Sequence, residues 1–309
     1  MNWALDTPIL SIVGTTASGK SSLAIELGRK IPRIEIVSID SMQIYRGMDI
    51  GTAKPTFEER KEIPHHLVDV VDPSTEFSLS QFQEEAKKAI AEIEQRGAIP
   101  LLVGGTGLHL RAVIDDFDIP KQYPVVGEEL RGEPDTGKLH KLLLRLDPIA
   151  AGRMEETNRR RVLRALEVTL GSGRPFSSYG PGLQDYRPTR FRMVGPRWGR
   201  LELNQRIENR FSQQMQDGFL EEVRGLTENG MELSRTARQA LGYRQFLEYL
   251  EGETSLDEAI EKAKQGIKKF ARRQERWFRR DPRIQWFDVE ENPLELIPTL
   301  VKEWRHVSH

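Results

Sequence analysis

The sequence contains no cysteine, and this absence excludes several kinds of site. Disulfides, catalytic thiolates and zinc held by sulfur all require that residue. Long apolar runs are also missing, because no stretch approaches the roughly 18 apolar residues that a membrane helix needs. The first six residues lack the charged and apolar parts of a signal peptide. We therefore expect a cytoplasmic protein with no membrane contact.

An overall charge of either sign is missing as well. The 309 residues carry a formal net charge of −1, so no global field draws the protein to nucleic acid and any basic surface must be local. Charged residues make up 30% and hydrophobic residues 38% of the chain, as in ordinary globular proteins. This length suffices for one large core or two domains.

The most informative stretch present is a phosphate-binding loop, which we call the phosphate loop. It fits the pattern G-x-x-x-x-G-K-[ST] between a β-branched apolar strand (9–13) and a helical segment (22–27). Its residues are Gly14, Thr15, Thr16, Ala17, Ser18, Gly19, Lys20 and Ser21. Backbone N–H groups and the helix dipole would bind a di- or triphosphate, with Lys20 on the outer phosphate and Ser21 on Mg²⁺.

Strands alternate with helices after this loop. Apolar runs at 34–39, 66–71 and 99–103 predict strands, and the segment 78–97 predicts a helix. This order predicts an α/β fold, a P-loop NTPase-like parallel sheet flanked by helices. Ligands of such sheets bind at the carboxyl ends of the strands, where Asp40, Thr106 and the phosphate loop would meet.

The composition changes after Ile114. We predict an all-helical insertion domain at 116–189, and an α/β core formed by 1–115 with 190–309, whose C-terminal part is helical. A strand at 191–194 returns to the sheet. Helices are predicted at 202–217, 219–228, 235–250, 255–279 and 293–306, with a short apolar segment at 284–287.

Two segments are locally basic. Residues 158–164 begin a helix of the insertion, and residues 268–280 end the long helix of the core. Arginines mixed with aromatic residues suit phosphate contacts and base stacking. The same pattern fits a solvated helix face with aromatic residues in the core, so from the residues alone both interpretations stay open.

The histidines do not predict a metal site. None pairs with carboxylates at metal-ligand spacing. We interpret His65 and His66 as structural or surface residues, and His109 as the histidine near the carboxyl edge of the sheet.

The phosphate loop alone permits several reactions. A phosphoryl-transfer enzyme, an NTPase with Asp40 at Mg²⁺, a small-molecule kinase and an enzyme with a diphosphate leaving group all use such a loop. Composition does not decide among them.

Longer motifs narrow the choice. The run Asp40–Pro55 (DSMQIYRGMDIGTAKP) and the segment 104–108 (GGTGL) closely resemble the tRNA dimethylallyltransferase family, also called tRNA isopentenyltransferases. Further matches lie at 160–168, 217–226 and 239–244, and the resemblance extends in order from about residue 9 to residue 287.

The resemblance implies transfer of a dimethylallyl group from dimethylallyl diphosphate to N6 of adenine 37 in tRNAs that read codons beginning with U. It implies Asp40 as general base, Thr106 near the bridging oxygen of the diphosphate, and Arg224 on the diphosphate. Lys20 and a Mg²⁺ on Ser21 would neutralise the leaving group. The target adenine would leave its stack.

The resemblance also implies partners and their contacts. The partners are the anticodon stem-loop of tRNA and dimethylallyl diphosphate, with the enzyme as a monomer. The residues that would face tRNA are Asp40, Ser41, Met42, Gln43, Thr106, Arg160, Arg161, Arg164, Gln239, Gly242, Tyr243, Arg244, Arg272, Arg273, Arg276 and Arg279. The chain departs from the family pattern at His109, where Tyr is common, and at Gly127, where many members have Arg.

Three other functions remain to be distinguished. The same transfer could use free AMP as acceptor, although the insertion and the basic helices argue against this. The chain could be an ATP-dependent kinase, or an RNA-binding module with a purely structural phosphate loop. Single roles have alternatives too: Asp40 could hold Mg²⁺ through water, Thr106 could be a turn hydroxyl, and Arg224 could pair within its own helix.

Overall fold

A parallel sheet of six strands forms the centre of the protein. The computed structural model describes residues 8–228 and 232–305. The strand order is β3-β2-β4-β1-β5-β6, and every pair is parallel. The strands are β1 (Ile9–Val13), β2 (Ile34–Ile39), β3 (His65–His66), β4 (Ile99–Gly104), β5 (Phe191–Arg197) and β6 (Ile284–Asp288). The predicted parallel α/β sheet is confirmed.

The register of the three middle strands brings their carboxyl ends level. Val13 of β1 pairs with Gly104 of β4, and Gly104 pairs with Ile39 of β2. The close approach requires glycine, because a Cβ at Gly104 would lie 2.0 Å from the carbonyl oxygen of Ile39. The segments that follow β1, β2 and β4 therefore begin side by side.

Helices cover both faces of the sheet. Ser78 caps the third helix through a reciprocal capping box with Gln81. The helices that belong to the sheet are α1 (Lys20–Lys30), α2 (Phe57–Glu62), α3 (Leu79–Gln95), α4 (Gly107–Ile114), α9 (Arg200–Gln216), α10 (Phe219–Thr227), α11 (Arg235–Arg238), α12 (Tyr243–Leu250), α13 (Leu256–Phe278) and α14 (Ile297–Arg305). One apolar cluster contains Val37, Phe82 and Phe246, and a second contains Ile12, Leu27 and Ile36.

The chain divides into two compact units. The core unit comprises 1–115 and 188–309, and the second unit comprises 116–187. The second unit has its own apolar cluster, which includes Leu143, Val162 and Leu166. Its helices are α5 (Pro124–Arg131), α6 (Thr136–Leu146), α7 (Pro148–Gly152) and α8 (Arg159–Ser172). A tRNA-binding role for this unit stays a prediction.

Two predicted elements were wrong, and a third segment was left unassigned. Of the predicted strand 66–71, only His66 pairs in the sheet, as the second residue of β3, because Leu67 and Asp69 have φ angles of 60° and 56°, which break an extended strand. The predicted helix 235–250 breaks before Gly242, whose φ is 86°. The segment 284–287, predicted only as a short apolar stretch, belongs to the edge strand β6, which pairs with β5.

Two further observations concern the helices, namely the last one and the test for a membrane span. The predicted last helix begins as a 3₁₀ turn at 293–296 and continues as α14, and its predicted end at residue 306 lies outside the described residues. Across 8–228 and 232–305, no helix combines the length and apolarity needed to cross a bilayer.

Candidate active site

A cavity of about 330 Å³ opens at the carboxyl edge of the sheet. Segments that follow β1, β2 and β4 line it, so the three polar features predicted to converge do meet there. The phosphate loop contributes Thr16, Ala17, Lys20 and Ser21. Other polar residues around it are Asp40, Ser41, Gln43, Thr106, Arg210, Gln239, Arg273 and Gln274.

The phosphate loop is held by side chains that bind its carbonyl groups. The indole Nε1 of Trp198 donates to the carbonyl of Ser18 at 3.0 Å, and Nε of Arg206 donates to the carbonyl of Ala17 at 2.9 Å. The Arg206 guanidinium stacks on the Trp198 ring at 4.2 Å. Gly19, at the start of α1, has a φ of 91°, which glycine adopts at low cost. The loop is thus fixed from outside the cavity.

Lys20 occupies the centre of this loop. Its Nζ donates to the carbonyl of Thr15. The pKa of Lys20 is lowered to about 7, chiefly by burial and also by the neighbouring Arg210, while the charge of Asp40 opposes both effects. A phosphate anion would stabilise the charged ammonium, so an anion and the Lys20 proton bind cooperatively.

Asp40 and Thr106 lie at two neighbouring strand ends. Oδ1 of Asp40 accepts from the N–H of Met42 at 2.8 Å, and within the described residues its Oδ2 has no hydrogen-bond partner. Oγ1 of Thr106 accepts from the N–H of Ser41 at 3.3 Å. One carboxylate oxygen is therefore fixed while the other remains open to a ligand.

The side chain of Gln43 binds the end of β2 and the segment near residue 52. Oε1 of Gln43 accepts from the Ser38 hydroxyl at 2.8 Å, and its Nε2 donates to the carbonyls of Thr52 and Ala53. The amide of Gln43, predicted to face tRNA, is thus bonded within the protein. It joins the start of the Asp40–Pro55 run to its end.

Glu222 of α10 fixes the middle of the same run. Its carboxylate accepts from the N–H groups of Asp49 (2.8 Å), Ile50 (2.6 Å) and Gly51 (3.1 Å). It also accepts from the Tyr243 hydroxyl at 2.6 Å, and burial with this nearby negative charge raises the pKa of Tyr243 well above its usual value. Tyr243, predicted to face tRNA, is fully buried and supports the wall of the cavity.

Arg224 and Arg210 differ from the sequence-based assignment. Arg224 is exposed on α10 and is not among the residues around the cavity, so the structure does not place it at the phosphate loop. Arg210 of α9 lines the cavity instead, and burial lowers its pKa while Asp40 raises it. The signal available in the sequence was the helical spacing that places Arg206, Ile207 and Arg210 on one face of α9.

The predicted tRNA-facing residues of the core unit fall into two groups. Asp40, Ser41, Met42, Gln43, Thr106, Gln239, Tyr243 and Arg273 line the cavity. Gly242, Arg244, Arg272, Arg276 and Arg279 lie outside the lining set, and the four arginines among them are exposed.

The arginines of α8 lie in the second unit and are also unlike one another. Arg160 and Arg161 are exposed. Arg164 donates to Glu167 at 2.7 Å and to the carbonyls of Pro120 and Lys121, so its guanidinium stabilises the second unit.

The histidines reverse the expected pattern. His65 is among the residues around the cavity, whereas His109 is not. His109 packs edge-on against Phe82 at 4.6 Å, and burial lowers its pKa to about 4. It is therefore a neutral core residue.

The oxygen donors at the cavity fit Mg²⁺ rather than a metal held entirely by protein. Within the described part of the chain, no three His, Asp or Glu side chains form a metal cluster. Ser21 and Asp40 line a cavity that Lys20 also lines. Mg²⁺ is commonly bound by one or two such oxygens together with substrate phosphates.

Comparison with known proteins identifies the family. A family model described as IPP transferase matches residues 43–281. A tRNA dimethylallyltransferase of Carboxydothermus hydrogenoformans is 44% identical over 295 residues, which cover 94% of each chain. One from Bifidobacterium longum is 44% identical over 288 residues, covering 91% of this chain and 86% of that relative.

Solved structures agree with this result. A tRNA isopentenylpyrophosphate transferase from Bacillus halodurans is 36% identical, with a TM-score of 0.70 over 98% of both chains. A eukaryotic dimethylallyltransferase that acts on tRNA is 28% identical, with a TM-score of 0.76 over 91% of this chain and 73% of that one. Because the family model spans most of the chain and relatives above 40% identity span nearly all of it, this chain belongs to the IPP transferase family of enzymes.

Proposed function

We propose that this enzyme transfers a dimethylallyl group from dimethylallyl diphosphate to N6 of adenine 37 of tRNA, releasing diphosphate. The observation that carries the proposal is the cavity in which the phosphate loop, Asp40 and Thr106 meet at the ends of adjacent strands. One side of this cavity is built for an anion, and the other presents a carboxylate. A diphosphate leaving group and an amine nucleophile need those two groups.

Asp40 acts as the general base. The exocyclic amine of adenine is a weak nucleophile because its lone pair is delocalised into the ring. As the new C–N bond forms and the C–O bond to diphosphate breaks, the amine loses a proton to the open oxygen of Asp40. The Met42 N–H holds the other oxygen, so the carboxylate is oriented before the substrate arrives.

Cationic groups stabilise the departing diphosphate. Lys20 exchanges its bond to the Thr15 carbonyl for a phosphate oxygen, and Arg210 supplies a second positive charge. The Thr106 hydroxyl lies at the end of β4 and donates toward the bridging oxygen. Mg²⁺, held by Ser21 and the diphosphate, would neutralise further charge on the leaving group.

The tRNA acceptor reaches the amine site as a flipped base. An adenine within its stack cannot present N6 to a carboxylate that lines a cavity, so unstacking is required. Arg273 lines the cavity, and Arg272 and Arg276 are exposed on the same helix, where they would bind backbone phosphates.

Incubation with labelled dimethylallyl diphosphate, Mg²⁺ and tRNA tests the proposal. Label should enter tRNA at adenine 37, located by nuclease digestion and mass spectrometry, and tRNA with guanine at position 37 should remain unlabelled. Labelling of AMP instead would identify the free nucleotide as acceptor. ATP consumption without prenyl transfer would support a kinase, and binding of tRNA without turnover would support an RNA-binding module.

A further inference from the structure

Gln274 is a buried amide whose hydrogen bonds join two loops of the cavity. Its side chain is 6% exposed and lies on α13, 258 residues after the phosphate loop in the chain. Oε1 accepts from the N–H of Thr16 at 2.8 Å, and Nε2 donates to the carbonyl of Gly105 at 2.9 Å. One side chain thus bridges the phosphate loop and the loop that carries Thr106.

The surrounding residues make room for this bridge. A Cβ at Gly105 would lie 2.4 Å from Nε2 of Gln274, so the loop after β4 has no side chain where the amide sits. A Cβ at Gly107 would lie 2.1 Å from the Trp277 ring, one helical turn further along α13. Two residues on one face of α13 therefore pack directly on two glycines of the β4–α4 connection, Gly105 in the loop and Gly107 at the start of α4.

The bonding pattern has a chemical consequence. The Thr16 N–H is directed to Gln274, so in this state it is not a donor to phosphate. The carbonyl of Gly105 accepts from Nε2 of Gln274, so it is not an unpaired acceptor beside the phosphate loop. An unbonded carbonyl oxygen beside a diphosphate would repel it, and a free amide N–H would let the loop adopt other conformations.

We propose that Gln274 is a positioning residue for the diphosphate subsite. It sets the separation between the phosphate loop and Thr106, so that Lys20 and the Thr106 hydroxyl act on the same leaving group. This inference rests on the proposed function for its kinetic part, but the binding of inorganic pyrophosphate tests it without turnover.

The test replaces Gln274 by methionine, which keeps the length and apolar contacts but removes both hydrogen bonds. Pyrophosphate affinity, measured by calorimetry with Mg²⁺, should fall about tenfold, the effect of losing well-formed buried hydrogen bonds. The kcat for prenyl transfer should fall by at least as much, whereas tRNA affinity should change less than twofold.

Gln83→Met is the matched control. Gln83 is equally buried, at 6% exposure, and its Nε2 donates to the carbonyl of Ala112 at 2.7 Å, but it does not line the cavity. This variant should lose thermal stability without losing pyrophosphate affinity. Equal losses of affinity in both variants would show that Gln274 acts only through overall stability and would overturn the proposal.

A double-mutant cycle with alanine variants tests the bridge independently of the Gln274→Met variant. Gly105→Ala inserts a Cβ against Nε2, and Gln274→Ala removes the amide that it would strike. If the bridge is the relevant contact, the pyrophosphate affinity of the double variant should match that of the worse single variant. Additive losses would mean that the two residues act separately.

The proposed function can fail without this inference. If the wild-type enzyme transfers no prenyl group to tRNA but the pyrophosphate affinities still follow the predicted double-mutant pattern, the proposed function is contradicted and the positioning role of Gln274 remains.

Discussion

The edge of the sheet and the second unit use similar residues in different ways. Around the cavity, polar groups are not fully satisfied within the protein. One oxygen of Asp40 has no hydrogen-bond partner in the described chain, and the pKa of Lys20 is lowered to about 7. In the second unit, Arg164 and Asp147 are satisfied by nearby backbone groups. The difference favours the core unit as the place where the reaction occurs, and it gives the polar groups of the second unit a role in stabilising that unit's own fold.

The most severe test of this contrast is Asp40→Asn. The amide keeps an oxygen for the Met42 N–H but cannot take a proton from the amine, so kcat should fall by a factor of about 10²–10⁴. Single-turnover rates with saturating tRNA measure the effect, and filter binding measures tRNA affinity. Normal kcat with lost tRNA binding would make Asp40 an RNA contact instead of a base.

The second test concerns the pH dependence of Lys20. With its pKa lowered to about 7, free enzyme carries the ammonium below that pH and loses it above. A diphosphate binds the charged form, so pyrophosphate affinity should fall as pH rises through 7, by up to about tenfold per pH unit.

Lys20→Met is the control for that titration. It should bind pyrophosphate more weakly at pH 6, by about 10- to 100-fold, and should show only the pH dependence of the ligand itself. Identical pH profiles for wild type and Lys20→Met would place the relevant proton elsewhere.

The third test compares two carboxylates that fix loops in the two units. Glu222 accepts from three N–H groups of the cavity wall, and Asp147 accepts from the N–H groups of Ala150 (3.0 Å) and Ser177 (2.7 Å) in the second unit. Each amide variant, Glu222→Gln and Asp147→Asn, should lower the free energy of unfolding by about 1.5–3 kcal/mol.

Only the core variant should change the chemistry. The Glu222→Gln variant should also lower kcat about tenfold. Glu222 fixes residues 49–51 of the run that begins at Asp40, and a small displacement of this run would move the carboxylate of Asp40. Denaturant unfolding and steady-state rates on the same preparations separate the two effects. A similar fall in kcat for Asp147→Asn would contradict the prediction that only the core unit carries the chemistry.

Much of the core unit could be predicted because its signals are local. The phosphate loop lies between a buried strand and a helix, and the strand-helix alternation requires parallel strands. Asp40 and Thr106 follow strands directly, so their meeting at one edge follows from topology alone. The edge strand β6 was missed because it is short and half-exposed, and its pairing with β5 is a long-range property.

The site residues whose roles the sequence does not decide depend on contacts that sequence spacing does not encode. Arg224 and Arg210 lie on consecutive helices, and only their packing decides which one reaches the cavity. Tyr243 and Gln43 belong to recognisable motifs, yet their polar atoms are bonded to Glu222 and to backbone carbonyls. A motif thus identifies residues that matter together, but it does not separate those that touch substrate from those that hold the site in place.

The mildest test compares exposed arginines of the two units. Arg276 of α13 and Arg161 of α8 are both exposed, whereas Arg164 is bonded within the second unit. If both helices bind tRNA phosphates, Arg276→Ala and Arg161→Ala should each weaken tRNA binding a few-fold. Each should also reduce the slope of log affinity against log salt by about one.

Arg164→Ala should behave differently from those two variants. Because its guanidinium holds Glu167 and two carbonyl groups, its loss should lower the melting temperature while leaving the salt slope unchanged. Titrations of a fluorescent anticodon stem-loop at salt concentrations from about 50 to about 200 mM distinguish these outcomes. Binding through phosphate contacts weakens steeply across this range. An unchanged slope for Arg161→Ala alone would remove Arg161 from the phosphate contacts and leave the contact of Arg276 on α13 in place.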